Sequence, residues 1–223
     1  MQTIQATTAA EAFDLYAAAR EADLLVQGRW HDERDRRQLA CGLGVLGPNV
    51  NGPGDCPASV MPAWLARMVP NFFDSMDFAD AKDWGLRFYA ELKRLDGVVP
   101  FSVIHDWQAN VVAPLGIDWR TLKGQSTDAI LKVQALHVRA LNGDIAPRTE
   151  WFEALKPALR ETYRSAYANA DAYANANADA YANADVNADV NADVNADAKK
   201  TRRQEAYKRL ADGMVDCLAR VSK

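Results

Sequence analysis

Residues 165–198 read SAYANADAYANANADAYANADVNADVNADVNADA, and the reading of this tract decides the fold. Its 34 residues hold 14 Ala, 7 Asn, 6 Asp, 3 Tyr, 3 Val and one Ser, with no Gly, no Pro and no positive charge. Ala fills every even position from Ala166 to Ala184, which is formally a strand period. Composition opposes a strand, because Ala, Asn and Asp are depleted there while Ala is the strongest helix former. The tract therefore predicts a helix, with disorder or a β-solenoid as the alternatives. Asn-Ala-Asp-Val recurs every four residues from Asn183, so Val186, Val190 and Val194 drift by about 40° per step around a helix axis and make no straight apolar stripe.

Outward from the tract the chain has three zones. Residues 1–164 predict a multi-helix globular body carrying a net charge of −3, 165–198 is the repeat at −6, and 199–223 is a basic amphipathic C-terminal helix at +5. In that last helix Tyr207, Leu210, Met214, Cys217, Leu218 and Val221 recur at three- and four-residue intervals, a face that must pack on the body or on a partner. The fold class expected is all-α. No Gly or Pro falls between Pro157 and Gly213, so an unbroken helix over 158–221 would reach about 95 Å, more than twice the ~40 Å diameter of a 164-residue body. Homo-oligomerisation through the C-terminal helices is the expected resolution, since pairing would set the acidic repeat beside the basic end.

Within the body, Thr8 and Glu11 announce a capping box for a helix over 9–26. A second helix is expected from Asp32 to Gly47, then a breaker-rich loop over 47–55, then helices near 59–73, 77–95, 101–113, 126–142 and 149–164, with Gly97, Gly116 and Gly143 as stops. No alternating strand pattern stands out.

The 223 residues carry 49% hydrophobic and 25% charged side chains and a net charge of −4, ordinary for a globular chain and unsuited to a general nucleic-acid binder. No apolar run is long enough to span a bilayer, and Met1 to Gln5 does not open a signal peptide, so a cytoplasmic protein without a membrane partner is expected. Three cysteines, Cys41, Cys56 and Cys217, fit reduced thiols. No phosphate-cradling glycine loop is present, and no cofactor, metal site or catalytic residue is assigned. Cys41 or Cys56 with one of His31, His105 or His137 is the one arrangement that admits an enzyme, and His105 and His137 each read as satisfied core or edge histidines. The six repeat Asp residues raise an acidic DNA mimic, though they span about 39 Å in which duplex DNA presents about 23 charges.

Trp30-His31-Asp32-Glu33-Arg34 continuing to Gln38-Leu39-Ala40-Cys41, then Asp55-Cys56-Pro57-Ala58 with Met61-Pro62-Ala63-Trp64-Leu65-Ala66, and the closing Arg209-Leu210-Ala211-Asp212 resemble a group of bacterial and phage-borne helical proteins. That group includes immunity proteins of polymorphic toxin systems, usually with Ala/Trp/Arg-rich tails where this chain has Asn, Asp and Tyr. The resemblance implies a non-enzymatic inhibitor, immunity-type or phage-encoded, that binds a protein partner such as a toxin or defence effector. The recognition surface expected is Trp30, His31, Asp32, Glu33 and Arg37 at a helix start, with Asp55, Cys56 and Trp64 in and after the loop. The alternatives are a Cys/His-dependent enzyme, and a DNA mimic or structural oligomer component.

Overall fold

The computed structural model describes residues 5–167 and 192–222, with side chains over 5–159 and 200–222. The described residues are mostly helical, with one two-stranded sheet. They fall into two compact units, one of Met1–Pro100 with Met214–Lys223 and one of Phe101–Gly213. The boundary at Pro100 lies inside the 1–164 body that composition delimits. The repeat helix expected over 165–198 lies largely outside the described residues, and with it the unbroken rod and the acidic mimic.

In the first unit, α1 (Ala9–Glu21) starts at Thr8, whose hydroxyl accepts the Glu11 N–H while the Glu11 carboxylate accepts the Thr8 N–H, each at 3.2 Å. It stops five residues short of position 26, where Asp23 turns to φ 52°. The expectation of a helix from Asp32 is wrong. Those residues form an antiparallel hairpin, β1 (His31–Arg34) and β2 (Arg37–Ala40), with His31 opposite Ala40 and Arg34 opposite Arg37. Asp35 (φ 52°) and Arg36 (φ 62°) make its two-residue turn, both in the left-handed region that a type I′ turn demands. What overrides local propensity is tertiary. Leu39 and Ala40 are buried, and Ala40 exchanges backbone bonds with Leu24 and Val26 at 3.0 Å each.

Short 3₁₀ turns at Gly44–Leu46 and Pro53–Asp55 occupy the breaker-rich segment. The helix expected over 59–73 is two pieces, α2 (Ala63–Ala66) and α3 (Val69–Ser75), because Pro70 has no N–H and must sit in a first turn. Asp77 caps α4 (Phe78–Arg94) through the Ala79 N–H at 2.9 Å. α1 lies on α4, where Tyr16 donates its hydroxyl to the carbonyls of Ala81 and Lys82 at 3.3 and 3.2 Å and its ring lies 5.0 Å from that of Tyr89. This approach requires Gly85, since a Cβ there would fall 2.1 Å from the Tyr16 hydroxyl.

In the second unit, α5 (Ser102–Trp107) passes through a π-turn (Gln108–Val112) into α6 (Ala113–Leu122). The helix expected to end at 113 thus continues past Gly116, and the left-handed stop is Gly124 (φ 63°). Pro114 explains the π-turn: its ring would clash with the carbonyl one turn back, and widening the helix removes the clash. The Ala109 carbonyl in that turn accepts a 2.7 Å bond from Gln134 on α7 (Asp128–Leu141). α7 packs on α8 (Arg148–Tyr167), which holds Pro157 in its interior, and Leu136, Ala146 and Ala154 form a small core between them.

The last helix is α9 (Ala192–Ala219). Tyr207, Leu210, Met214, Cys217 and Leu218 are all buried, so its apolar face is spent inside the chain. In the second unit Trp107 donates its indole N–H to the Leu210 carbonyl at 2.8 Å; in the first, Arg94 reaches the carbonyls of Leu218 and Val221 at 2.7 and 3.0 Å.

Candidate functional site

The hairpin carries four of the expected recognition residues, with Trp30 immediately before it, in a different arrangement from a helix start. Trp30, His31 and Asp32 are half-buried and Glu33 and Arg37 exposed. His31 Nε2 lies 3.0 Å from the Val50 carbonyl, which ties the hairpin base to the loop where the Asp55 carboxylate accepts the Asn51 N–H at 3.0 Å. Arg37 has a structural task, since its guanidinium donates to the carbonyls of Ala22 and Asp23 just beyond α1, where a helix leaves acceptors unmet. Cys56 and Trp64 are half-buried where the Pro53–Asp55 turn meets α2. Alongside the hairpin lies a hollow of about 830 Å³, lined by Leu15, Ala18 and Leu24 and by His31, Arg36 and Arg37. Among the described residues its titratable lining is basic.

The cysteines are poorly placed for nucleophilic chemistry. Burial pushes the Cys41 thiol above its ordinary pKa and that of Cys56 up to about 12. Cys41 Sγ accepts the Gly44 N–H at 3.2 Å, and Cys56 Sγ faces the Pro57 carbonyl at 3.8 Å. A thiolate is the reactive form, and both settings suppress it. Among the described residues no three His, Cys, Asp or Glu side chains gather as a metal-binding group, and no helix is long and apolar enough to cross a membrane.

A second site lies in the second unit. His105 of α5 and His137 of α7 meet with Nδ1 atoms 2.9 Å apart, and Trp151 of α8 stacks on His105 at 5.9 Å and stands edge-on to His137 at 4.7 Å. Phe101 closes the other side, 5.5 Å from His105. One Nδ1 donates and the other accepts, so the neutral pair carries one hydrogen between its rings. Burial lowers the pKa of His105, and burial together with the charge of His105 brings His137 down to about 4. The pair lines a cleft of about 630 Å³ whose walls are mainly aliphatic.

Compared with protein-family models, with curated proteins and with solved structures, the chain matches none. The site geometry therefore bears the functional argument by itself. Sequence reasoning weighed His105 and His137 one at a time and missed their pairing. Each sits on a helix of the expected kind, and the only signal, an aromatic four residues before His105, does not say which second helix it meets.

Proposed function

We propose that the chain is a non-enzymatic, immunity-type binding protein that neutralises a protein partner, a toxin or defence effector, and that its hairpin face meets an acidic surface of that partner. One observation carries this reading: among the described residues the titratable lining of the hollow beside the hairpin is His31, Arg36 and Arg37, and Arg36 is held there at φ 62°. A bulky residue in the left-handed region costs on the order of 1 kcal/mol or more, and such strain is concentrated where a side chain must be aimed. A basic hollow on a chain of net charge −4 favours an acidic partner and repels wrong ones. The suppressed thiols of Cys41 and Cys56 weigh against the Cys/His enzyme.

The test is affinity capture by the full chain, followed by purification of the captured protein and titration against wild type and the R34E/R36E variant at ~50 and ~300 mM salt. Wild type is expected to bind roughly tenfold more tightly, with the steeper salt dependence, and to block the partner's activity at equal stoichiometry. Equal binding by both proteins removes the hairpin from the reading, and chemical conversion of the partner removes the non-enzymatic assignment.

A further inference from the structure

We propose that the cleft of the second unit binds a small apolar carboxylate, its aliphatic or aryl body between Ile104, Ile130, Val133 and Trp151 and its carboxylate on the His105–His137 pair and Arg148. This is a separate site from the hairpin face and does not depend on the partner. Its volume, about 630 Å³, lies in the range of small-molecule pockets, with apolar walls and few polar groups.

The charges of the lining choose the ligand. His105 comes from α5, His137 from α7 and Arg148 from the start of α8, while the residues contributed by the π-turn and α6, Gln108, Val112 and Ala113, are neutral. Among the described residues no Asp or Glu lines the cleft. Asp106, beside His105 in sequence, is outside the lining and accepts a 2.7 Å bond from Asn110. Hydrophobic side chains of the lining are exposed, Phe101 at 59% and Ile145 at 75%. An apolar body covers that surface, which favours binding in proportion to the area removed from water.

The histidine pair then couples binding to protons. Burial among apolar walls lowers the pKa of both its rings. A carboxylate placed against it offsets the charge of one added proton, so the pair takes up a proton on binding and affinity rises as pH falls.

The full chain is titrated calorimetrically with 4-phenylbutyrate, decanoate and the neutral 4-phenylbutyramide at about pH 8 and about pH 6. We expect saturable one-to-one binding of both acids below ~1 mM, with the amide roughly tenfold weaker. Going from the higher to the lower pH should tighten acid binding about threefold. Arg148→Gln, an exposed position whose variant keeps the native circular dichroism, should weaken the acids about fivefold and leave the amide unchanged. Equal binding of acid and amide, an acid affinity that Arg148→Gln or pH leaves unaltered, or no saturable binding of either acid overturns the proposal. None of these results touches the hairpin titration, so the two readings fail separately.

Discussion

With an Nδ1···Nδ1 separation of 2.9 Å, the His105–His137 pair cannot accept a proton on each ring without setting two cations against one another. His137, at about 4 in the folded chain, lies below the ~6.5 of an exposed imidazole. Between these values the unfolded chain binds more protons than the folded one. Stability is therefore fully present above about pH 6.5 and declines as pH falls toward about 4. The His137→Phe variant should flatten a plot of melting temperature against pH in that window; a plot as steep as wild type would place the proton uptake elsewhere. Arg36 gives the opposite kind of prediction. Arg36→Gly relieves the left-handed strain, and although glycine adds freedom to the unfolded chain, we expect a net gain of about 0.5–1 kcal/mol by urea denaturation together with weaker partner binding. Trp119 buries an indole N–H that has no hydrogen-bond acceptor among the described residues, so Trp119→Phe should be neutral or stabilising by about 1 kcal/mol in the same assay.

The helix from Ser102 to Leu122 departs from regular geometry, since a proline that would end an isolated helix here accompanies a π-turn. The turn persists because α7 supplies Gln134 to the Ala109 carbonyl. Gln134→Leu leaves that carbonyl without its donor and should destabilise the second unit by about 1–3 kcal/mol, read as faster amide exchange in Ala113–Leu122; unchanged exchange would show that the turn stands without α7. The hairpin obeys the same logic. Its turn residues, Asp35 and Arg36, are not the Asn-Gly pair that signals a type I′ turn, and its strands carry His, Asp, Glu and Arg in place of β-branched residues. Nothing local marks it as a strand pair. The capping box at Thr8 and the cap at Asp77, by contrast, act within a few residues, which is why α1 begins at Ala9 and α4 at Phe78, close to the starts at 9 and 77 expected from the sequence.

Over the whole molecule, the repeat and the basic end carry charges of −6 and +5, and that contrast motivates the proposal that copies associate through the C-terminal segments. Size-exclusion chromatography with light scattering should return an oligomer that dissociates as salt is raised, while a monomer at all salt concentrations would dispose of the proposal. The amino-acid sequence alone determined that the described chain is mostly helical and which face of the C-terminal helix is apolar, because composition, periodicity and caps act over one or two turns. Tertiary structure decided the rest. The backbone of Ala40 is paired by Leu24 and Val26, which makes a hairpin of a stretch that reads as helix. The packing of α5, α7 and α8 brings two distant histidines and a tryptophan to one cleft, a meeting set by the three-dimensional path of the chain and by no spacing along it.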